Sequence, residues 1–292
     1  MERMQTLLQV EPGDDFIITP SIQNICKRAM AYLEAGYPVH LSGPTGTGKT
    51  TLALHLAKLR SRPVMLIFGD EEFGSSDLVG SEKGVLSRRL VDNYIHSVLR
   101  TEESIIPQWV DQRLTTACRY GHTLIYDEFS RSRPEANNVL LAVLEEGLLS
   151  LPETRYRESY MQVHPEFRAV FTSNPQEYAG VYKTQDALLD RMITIHLDHH
   201  DKETEIAITQ AKSGIEKKEA EKIVDIVRKL RCMHENSWPS IRASIMIARI
   251  LVLQKGKARI DDSIFLETCS DILGSNGFAN KDITELIRKE LR

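Results

Sequence analysis

The stretch HLSGPTGTGKTTL, from His40 to Leu52, places three glycines and a proline between an apolar segment and a helical one. YPVHL, at its start, has the short apolar pattern of a buried strand, and TTLALHLAKLR, at its end, has the composition of a helix. Glycine tolerates tight turns, and a loop that opens a helix presents N–H groups and the positive end of the helix dipole to an anion. The stretch therefore predicts a loop that binds phosphate.

The loop fits the pattern G-x-x-x-x-G-K-[ST] from Gly43 to Thr50. In this pattern Lys49 supplies a cation for the outer phosphates, and Thr50 supplies a hydroxyl ligand for Mg²⁺. A Gly/Pro turn can match by chance, but this match lies between a predicted strand and a predicted helix, the context that the motif requires. We predict that ATP is bound by Gly43, Pro44, Thr45, Gly46, Thr47, Gly48, Lys49, Thr50 and Thr51.

Two adjacent acids end a later strand, in the segment TLIYDEF. Thr123 to Tyr126 can run as a buried strand, and Asp127 then emerges at its carboxyl end, where ligands bind in open α/β sheets. Asp127 can hold Mg²⁺ there, and Glu128 can polarise an attacking water. The alternative is a solvated acidic turn. A glutamate beside the metal-binding acid suits water as the nucleophile, so hydrolysis is favoured over transfer to a second substrate.

Strand and helix signals alternate as far as about residue 198, and helical signals alone follow. The alternation predicts an α/β core, residues 1–198, with a parallel sheet and helices on both faces. The helical pattern of residues 199–292 predicts a smaller α-helical lid domain. Within the core, we predict an insertion at about 70–105 and a hairpin at about 147–167.

The composition is that of an ordinary globular protein of 292 residues, with a net charge of −4. Interleaved acids and bases argue against a nucleic-acid binder with a broad basic face. The four cysteines, which are far apart in sequence, suit buried thiols in a reducing compartment better than a disulfide frame or a zinc site. No apolar run approaches the roughly 20 residues that span a bilayer, and the N-terminus lacks a signal-peptide pattern. We therefore expect a soluble, cytoplasmic protein without a membrane span.

The phosphate loop and the acid pair together resemble the AAA+ ATPases, and specifically their MoxR branch. Further segments carry the resemblance from about residue 16 to about residue 273: GSSDLVG (74–80), DEFSRSRPEANNVLLAVLEEGLLSLP (127–152), FTSNP (171–175), ALLDRM (187–192) and WPSIRASIMIARIL (238–251). The resemblance implies an AAA+ P-loop core with a C-terminal helical lid, and a nucleotide that lies between the two.

The resemblance also implies roles for three further polar residues. Asn174 falls at the family's sensor-1 position, where an amide orients the attacking water or contacts the γ-phosphate. Arg191 falls where the family carries an arginine near the subunit interface, and an arginine finger is worth roughly 10³–10⁵ in rate in GTPases. Arg242 falls at the sensor-2 position of the lid. The alternatives are an Asn-Pro turn, a surface arginine paired with Asp190, and a solvated helix arginine.

Several assignments stay open at this point. Arg131 and Arg133 compete with Arg191 for the finger role, because both closely follow the acid pair. The segment HLDHH, at 196–200, resembles a metal cluster, but a strand end with exposed histidines is favoured because no matching ligand group is evident. The predicted hairpin contacts either a substrate or only solvent, and a nucleic-acid contact is disfavoured.

The resemblance implies an active site completed by a neighbouring subunit, hence a ring, expected to be a hexamer. Within the branch, Tyr126, DEFSRSRPEANN and the opening EPGDDFIITPSI are most similar to members that serve gas vesicles. The implied client is a gas vesicle shell protein, and the implied role is vesicle assembly or maturation. Two alternatives are a MoxR-type chaperone that activates or metal-loads a partner enzyme, and an ATP-binding scaffold without significant turnover.

Overall fold

The computed structural model describes residues 16–92, 100–151, 159–175, 186–233, 239–274 and 280–290. The helices of the first two thirds of the chain are α1 (Pro20–Glu34), α2 (Lys49–Leu59), α3 (Ser75–Val79), α4 (Arg113–Tyr120), α5 (Pro134–Asn137), α6 (Val139–Glu145) and α7 (Asp186–Leu189). The strands are β1 (Val39–Ser42), β2 (Val64–Phe68), β3 (Gly80–Asp92), β4 (Arg100–Asp111), β5 (Thr123–Asp127), β6 (Leu148–Ser150), β7 (Tyr160–Gln162), β8 (Arg168–Ser173) and β9 (Ile193–His196).

Five of these strands form one parallel sheet in the order β2-β5-β8-β1-β9. Alternate residues of each strand point to opposite faces, so each face buries its own apolar cluster. Ile125 and Val170 pack with α1 and α2 on one face, whereas Tyr126 and Phe171 pack with α4 and α6 on the other. The predicted parallel sheet with helices on both faces is confirmed.

The carboxyl ends of the central strands carry the motifs. In the register of the sheet, Ser42 at the end of β1 lies opposite Ser173 of β8, and Tyr126 of β5 lies opposite Phe171. The chain leaves β1 directly into the glycine loop, and it leaves β5 at the acid pair. Parallel pairing therefore brings segments about eighty residues apart to one edge of the sheet.

Residues 70–111 are more regular than their sequence predicts. After the short helix α3, β3 and β4 pair antiparallel from Gly80 with Asp111 to Asp92 with Arg100. The next helix, α4, begins only at Arg113, because Trp109 and Val110 belong to the strand pair. A second antiparallel pair, β6 with β7, joins Leu148 to Gln162 and Ser150 to Tyr160. Residues 152–158 of the predicted hairpin and 93–99 of the predicted insertion lie outside the described residues.

Beyond β9, the described residues form helices only. These are α8 (Lys202–Ser213), α9 (Lys217–Met233), α10 (Ile241–Gln254), α11 (Ser263–Gly274) and α12 (Asn280–Glu290). They bury an apolar cluster of their own, drawn from residues 206–287 and separate from both clusters of the sheet. Glu205 is fully buried there, and Arg231 donates to its Oε1 at 2.6 Å while Arg228 lies 3.3 Å from its Oε2. Among the described residues, no helix has the length and apolarity to cross a membrane.

Candidate functional site

The glycine loop needs its glycines for three separate reasons. Gly46 and Gly48 have φ angles of 83° and 79°, in the left-handed region that favours glycine. A Cβ at Gly43 would lie 2.1 Å from the carbonyl oxygen of Leu197, and a Cβ at Gly46 would lie 2.5 Å from the Cβ of Ser240. The loop is therefore packed against the segment after β9 and against the start of α10.

Lys49, the first residue of α2, is buried beneath the loop. Its Nζ donates to the carbonyl oxygens of Gly43 and Pro44, both at 2.8 Å. The same loop is closed by Thr47, whose hydroxyl donates to the Pro44 carbonyl at 2.9 Å. An ammonium group at the amino end of a helix, beneath a left-handed glycine turn, gives this place a positive electrostatic character.

Asp127 stands at the carboxyl end of β5, buried, and is bound by two hydroxyls. Thr50 donates to both of its carboxylate oxygens, at 2.8 and 3.0 Å, and Thr172 of β8 donates to Oδ1 at 2.6 Å. The two residues predicted as Mg²⁺ ligands, Thr50 and Asp127, are thus in direct contact. Thr172 was not singled out by the sequence motifs, although it lies within the quoted segment FTSNP.

Glu128 has an unusual backbone conformation for a residue with a side chain, with φ 52° and ψ 41°. Its N–H donates to the Thr172 hydroxyl at 2.9 Å, which fixes the turn after Asp127. Its carboxylate extends outward, about two-fifths exposed, and forms an ion pair with Arg131 at 2.8 Å. The predicted general base is therefore anchored through its main chain and open to solvent at its carboxylate.

Asn174 follows the last residue of β8 and is buried. Its Nδ2 donates to the Thr45 hydroxyl in the glycine loop at 2.7 Å. The amide predicted to orient water is thus attached to the loop predicted to bind phosphate, across the neighbouring strands β1 and β8. The structure brings this residue to the site, and its role stays a prediction.

The loop borders a cavity of about 410 Å³ between the sheet and the lid helices. Gly46 and Gly48 line it on one side and Arg242 lines it on the other, exposed in the first turn of α10. The lid also touches the loop directly, because Ser240 packs on Gly46 and the ring of His200 is hydrogen bonded to the backbone of Thr47. The predicted lid residue Arg242 is therefore near the loop.

Beside polar residues such as Asp198, Asp201 and Lys212, the rest of this cavity is lined by apolar residues for which the sequence predicted no role. They come from the segment before α1, from α1 itself and from the lid: Phe16, Ile17, Ile22, Ile25, Ile208, Ile241 and Ile245. The Phe16 ring stacks on the His55 ring of α2 with centroids 4.1 Å apart. A pocket with a phosphate loop at one end and apolar walls at the other suits a nucleotide, whose base is flat and largely apolar.

The three arginines proposed for the finger role have different surroundings. Arg191 follows α7 and forms an ion pair with Glu145 of α6, donating from Nε at 2.8 Å, and not with Asp190. Arg131 pairs with Glu128 of its own chain, and Arg133 is exposed. None of these three is among the residues that line the described cavity, which leaves the finger role a prediction.

The histidine segment is only partly as expected. β9 does end at His196, which is exposed, but His200 packs on the glycine loop instead of standing in solvent. Burial lowers the pKa of His200, against the nearby carboxylates of Glu205 and Asp201, which raise it. Among the described residues, no group of three or more His, Cys, Asp or Glu side chains is arranged to hold a metal ion.

A buried histidine, His40, lies under the site. It is the first residue of HLSGPTGTGKTTL, and the sequence predicted no role for it. The ring of His40 in β1 is hydrogen bonded to the Ser173 hydroxyl at 2.8 Å and to the Thr194 hydroxyl at 3.0 Å. Burial, with a smaller contribution from His196, lowers the pKa of His40 to about 4. A neutral ring thus ties β1 to both neighbouring strands just before the glycine loop.

Comparison with known proteins shows the family to which the chain belongs. Residues 38–192 match the AAA domain family of the dynein-related subfamily. The chain is 48% identical over 286 residues to the gas vesicle ATPase GvpN of Ancylobacter aquaticus, covering 98% of this chain and 80% of that protein. It is 27% identical to the protein CbbQ of Hydrogenophilus thermoluteolus, a relative of the MoxR type, over 68% of each chain.

A solved structure supports the fold independently of close sequence identity. A mutant of RuvB from Thermotoga maritima superposes with a TM-score of 0.55 at 19% identity, covering 89% of this chain and 71% of that chain. This similarity concerns the AAA+ fold, including helices after the P-loop core. The chain therefore belongs to the MoxR branch of the AAA+ ATPases and, within it, to the family of gas vesicle ATPases named GvpN.

Proposed function

We propose that this chain binds ATP with Mg²⁺ between the glycine loop and the lid, hydrolyses it, and uses the cycle to assemble or remodel a protein of the gas vesicle. The observation that carries the proposal is the contact of the Thr50 hydroxyl with the Asp127 carboxylate, at 2.8 and 3.0 Å, beside the buried Lys49. It joins a phosphate loop to an acid pair at the carboxyl edge of a parallel sheet, the arrangement that nucleotide hydrolysis requires.

The donors at this place suit magnesium. A hydroxyl and a carboxylate are hard oxygen ligands, and Mg²⁺ usually takes one or two of these together with phosphate oxygens and water. Bound by Thr50 and Asp127, the ion would neutralise charge on the phosphates. Thr172 keeps the Asp127 carboxylate oriented, since its hydroxyl donates to Oδ1 at 2.6 Å.

The remaining chemistry belongs to side chains at the strand ends. Main-chain N–H groups of the loop and Lys49 bind the phosphates, and the apolar end of the cavity receives the base. Glu128 accepts a proton from the attacking water, because its carboxylate is open to solvent while its main chain is fixed. Asn174, attached to Thr45, orients that water or contacts the γ-phosphate.

Residues 199–292 would then act as the lid. Arg242, in the first turn of α10, faces the same cavity as the glycine loop, so it can report the state of the phosphates to the lid helices. Movement of the lid on hydrolysis would change the surface that a client protein contacts. The ATP-bound and ADP-bound states would then differ in affinity for the client, and this difference allows hydrolysis to shift the client between two states.

The active form we propose is a ring, a hexamer, in which Arg191 reaches the nucleotide of the neighbouring subunit. Two observations support this role for Arg191: it does not line the cavity of its own chain, and its partner Glu145 is 57% exposed. Arg191 can therefore exchange this ion pair for a contact with a neighbouring nucleotide. Head-to-tail contacts form a ring when the rotation from one subunit to the next closes. The client we propose is a gas vesicle shell protein, on the strength of the similarity to GvpN.

The hydrolysis claim is tested by phosphate release from the purified chain. Lys49→Ala should abolish turnover by removing the cation beneath the loop, and Glu128→Gln should abolish turnover while ATP still binds. Undiminished phosphate release by the Lys49 variant would refute the site. Full cellular function of the Glu128 variant would instead support a scaffold that binds ATP without turning it over.

The trans-acting arginine has a matched control in its own ion pair. Arg191→Ala should eliminate assembled activity yet spare ATP binding, whereas Glu145→Gln breaks the same pair and keeps the arginine, so its turnover should stay near wild type. Mixing the Arg191 and Lys49 variants should restore some turnover, because mixed rings contain complete sites. Equal loss in both pair variants, or no restoration on mixing, would contradict the role.

The cellular role is tested by deletion and complementation. In gas-vesiculate cells, loss of the gene should leave few or malformed vesicles, and the Lys49→Ala chain should not restore them. Intact vesicles with a failing metalloenzyme would favour the chaperone alternative over the shell-protein client.

A further inference from the structure

Tyr126 is a tyrosine in the middle of an apolar cluster. It is the residue before Asp127, it is fully buried, and its ring packs near those of Phe129 and Phe171. Packing alone would be served by phenylalanine, and burial of a hydroxyl costs free energy unless it is hydrogen bonded. Its hydroxyl donates to the Ser132 hydroxyl at 2.7 Å, also buried.

Ser132 also contacts a different part of the chain. Its oxygen accepts a hydrogen bond from the N–H of Asp70 at 3.1 Å, in the segment that leaves β2. Next to it, the Gly69 N–H donates to the Asp127 carbonyl at 2.8 Å, and a Cβ at Gly69 would lie 2.0 Å from the Glu128 carbonyl oxygen. The segment after β2 is therefore fastened to the turn that holds Glu128.

That turn is under strain and is supported from both sides. Glu128 has a left-handed backbone, with φ 52°, a conformation that is unfavourable for a residue with a side chain. On the β8 side its N–H is held by Thr172, and on the far side the turn closes through Arg131 N–H to the Glu128 carbonyl at 2.9 Å and ends at Ser132. A conformation of this kind persists only where the surroundings over-determine it.

The segment on the other side of the bridge leads away from the site. Residues 69–74 run into α3, and α3 runs directly into the antiparallel pair β3 and β4. The root of that pair is fixed, because the Thr115 hydroxyl donates to the Val79 carbonyl at 2.5 Å and Gly80 lies against Trp109. The backbone from Asp70 through α3 thus links the Ser132 contact to the base of the strand pair.

We propose that Tyr126 is a positioning residue for hydrolysis: through Ser132 and Asp70 it fixes the turn that carries Glu128 and couples this turn to the β3–β4 pair. The proposal rests on the proposed ATPase function. Two hydrogen bonds form the bridge from Tyr126 through Ser132 to Asp70, and the backbone from Asp70 through α3 connects that bridge to the strand pair. Burial raises the pKa of Tyr126 to about 12, so the hydroxyl remains a donor at any physiological pH.

Tyr126→Phe removes that oxygen and keeps the ring. We expect kcat to fall about fivefold, the factor that corresponds to one neutral hydrogen bond, while the KM for ATP stays unchanged because the loop and cavity are untouched. Ser132→Ala removes the same bond together with the acceptor of the Asp70 N–H, so its kcat should fall at least as far. The double variant should be no worse than Ser132→Ala alone, because Tyr126→Phe only removes a bond that Ser132→Ala has already removed. Tyr120→Phe, at a half-exposed ring, is the matched control and should behave as wild type.

Hydrogen exchange provides a readout that does not depend on turnover. In the wild-type chain, the amides of 69–74 and of 80–92 should exchange at different rates with ADP and with a non-hydrolysable ATP analogue. In both bridge variants the Asp70 region should exchange faster, and the nucleotide-dependent difference in 80–92 should shrink. Unchanged exchange in Ser132→Ala would overturn the proposal, even if Tyr126→Phe failed to fold.

The kinetic outcomes separate this inference from the function on which it rests. A wild-type chain with no phosphate release would refute the ATPase, and the exchange result alone would then decide the coupling. An active wild type with an unchanged Tyr126→Phe kcat, or with kcat and KM altered together, would overturn the positioning role and leave the ATPase intact.

Discussion

Thr172→Val tests whether one hydroxyl organises the acid pair. The Thr172 hydroxyl donates to Asp127 at 2.6 Å and accepts from the Glu128 N–H at 2.9 Å, and the residue is fully buried. Valine has nearly the same shape, so the substitution removes two hydrogen bonds without opening a cavity.

The magnitude follows from those two bonds. Loss of a hydrogen bond to a carboxylate costs about 1.5–3 kcal/mol, and the partly buried Glu128 N–H left without an acceptor adds about 1 kcal/mol. The new methyl group returns about 0.8 kcal/mol of apolar burial. The net loss of about 2 kcal/mol should lower Tm by about 4–8 °C.

The functional consequence is a weaker affinity for Mg²⁺. Removal of a group that orients a metal ligand typically lowers metal affinity by about tenfold or more. The Mg²⁺ concentration for half-maximal phosphate release should therefore rise by about that factor. Thr172→Ser keeps the hydroxyl and is the control for the Mg²⁺ titration and for differential scanning calorimetry. Equal Mg²⁺ requirements in the two variants would refute the reasoning.

Three further predictions concern buried charge and backbone. The pKa of His40 is lowered to about 4 in the fold, so the unfolded chain binds more protons than the folded chain between about pH 4 and 6.5. The free energy of unfolding should therefore fall by about 3 kcal/mol as the pH drops through that window. Urea titrations at several pH values should show this dependence in the wild-type chain and not in His40→Gln. Arg231→Met leaves the buried Glu205 carboxylate to its weaker second partner and should cost about 3 kcal/mol, read from thermal unfolding; an unchanged Tm would contradict the pairing. Gly46→Ala should weaken ATP binding about tenfold, because φ is 83°, and Ser240→Gly added to it should recover affinity in calorimetric titrations if the steric contact contributes.

The sequence predicts best what its local pattern encodes. The phosphate loop and the acid pair are short segments whose spacing and flanking strands determine their place, and β5 and α2 lie where the patterns put them. The five-stranded sheet follows for the same reason, since each buried strand is a compact apolar run. Asp127 and Thr50 could therefore be expected to meet before any contact was known.

Contacts between distant segments could not be predicted in this way. Phe16 and Ile245 line one cavity although 229 positions separate them, and His200 reaches the loop only because the lid folds back on it. The sequence predicts only an insertion where β3 and β4 lie, because neither strand has clean alternation and each is defined by pairing with the other. Local periodicity carries no information about which segment is the partner.

The same limit explains why the contacts made by the hydroxyl groups of the site were not predicted, although Thr45 itself lies in the predicted phosphate loop. Thr45 holds Asn174, Thr172 holds both acids, Ser132 holds Tyr126, and Ser240 covers Gly46. Serine and threonine are ordinary at strand ends and turns, so none of these positions forms a pattern. Each becomes informative only once its partner from another strand is known. The recognisable acids and amide depend on these short side chains for their orientation, so variants at the hydroxyls should alter catalysis while nucleotide binding persists.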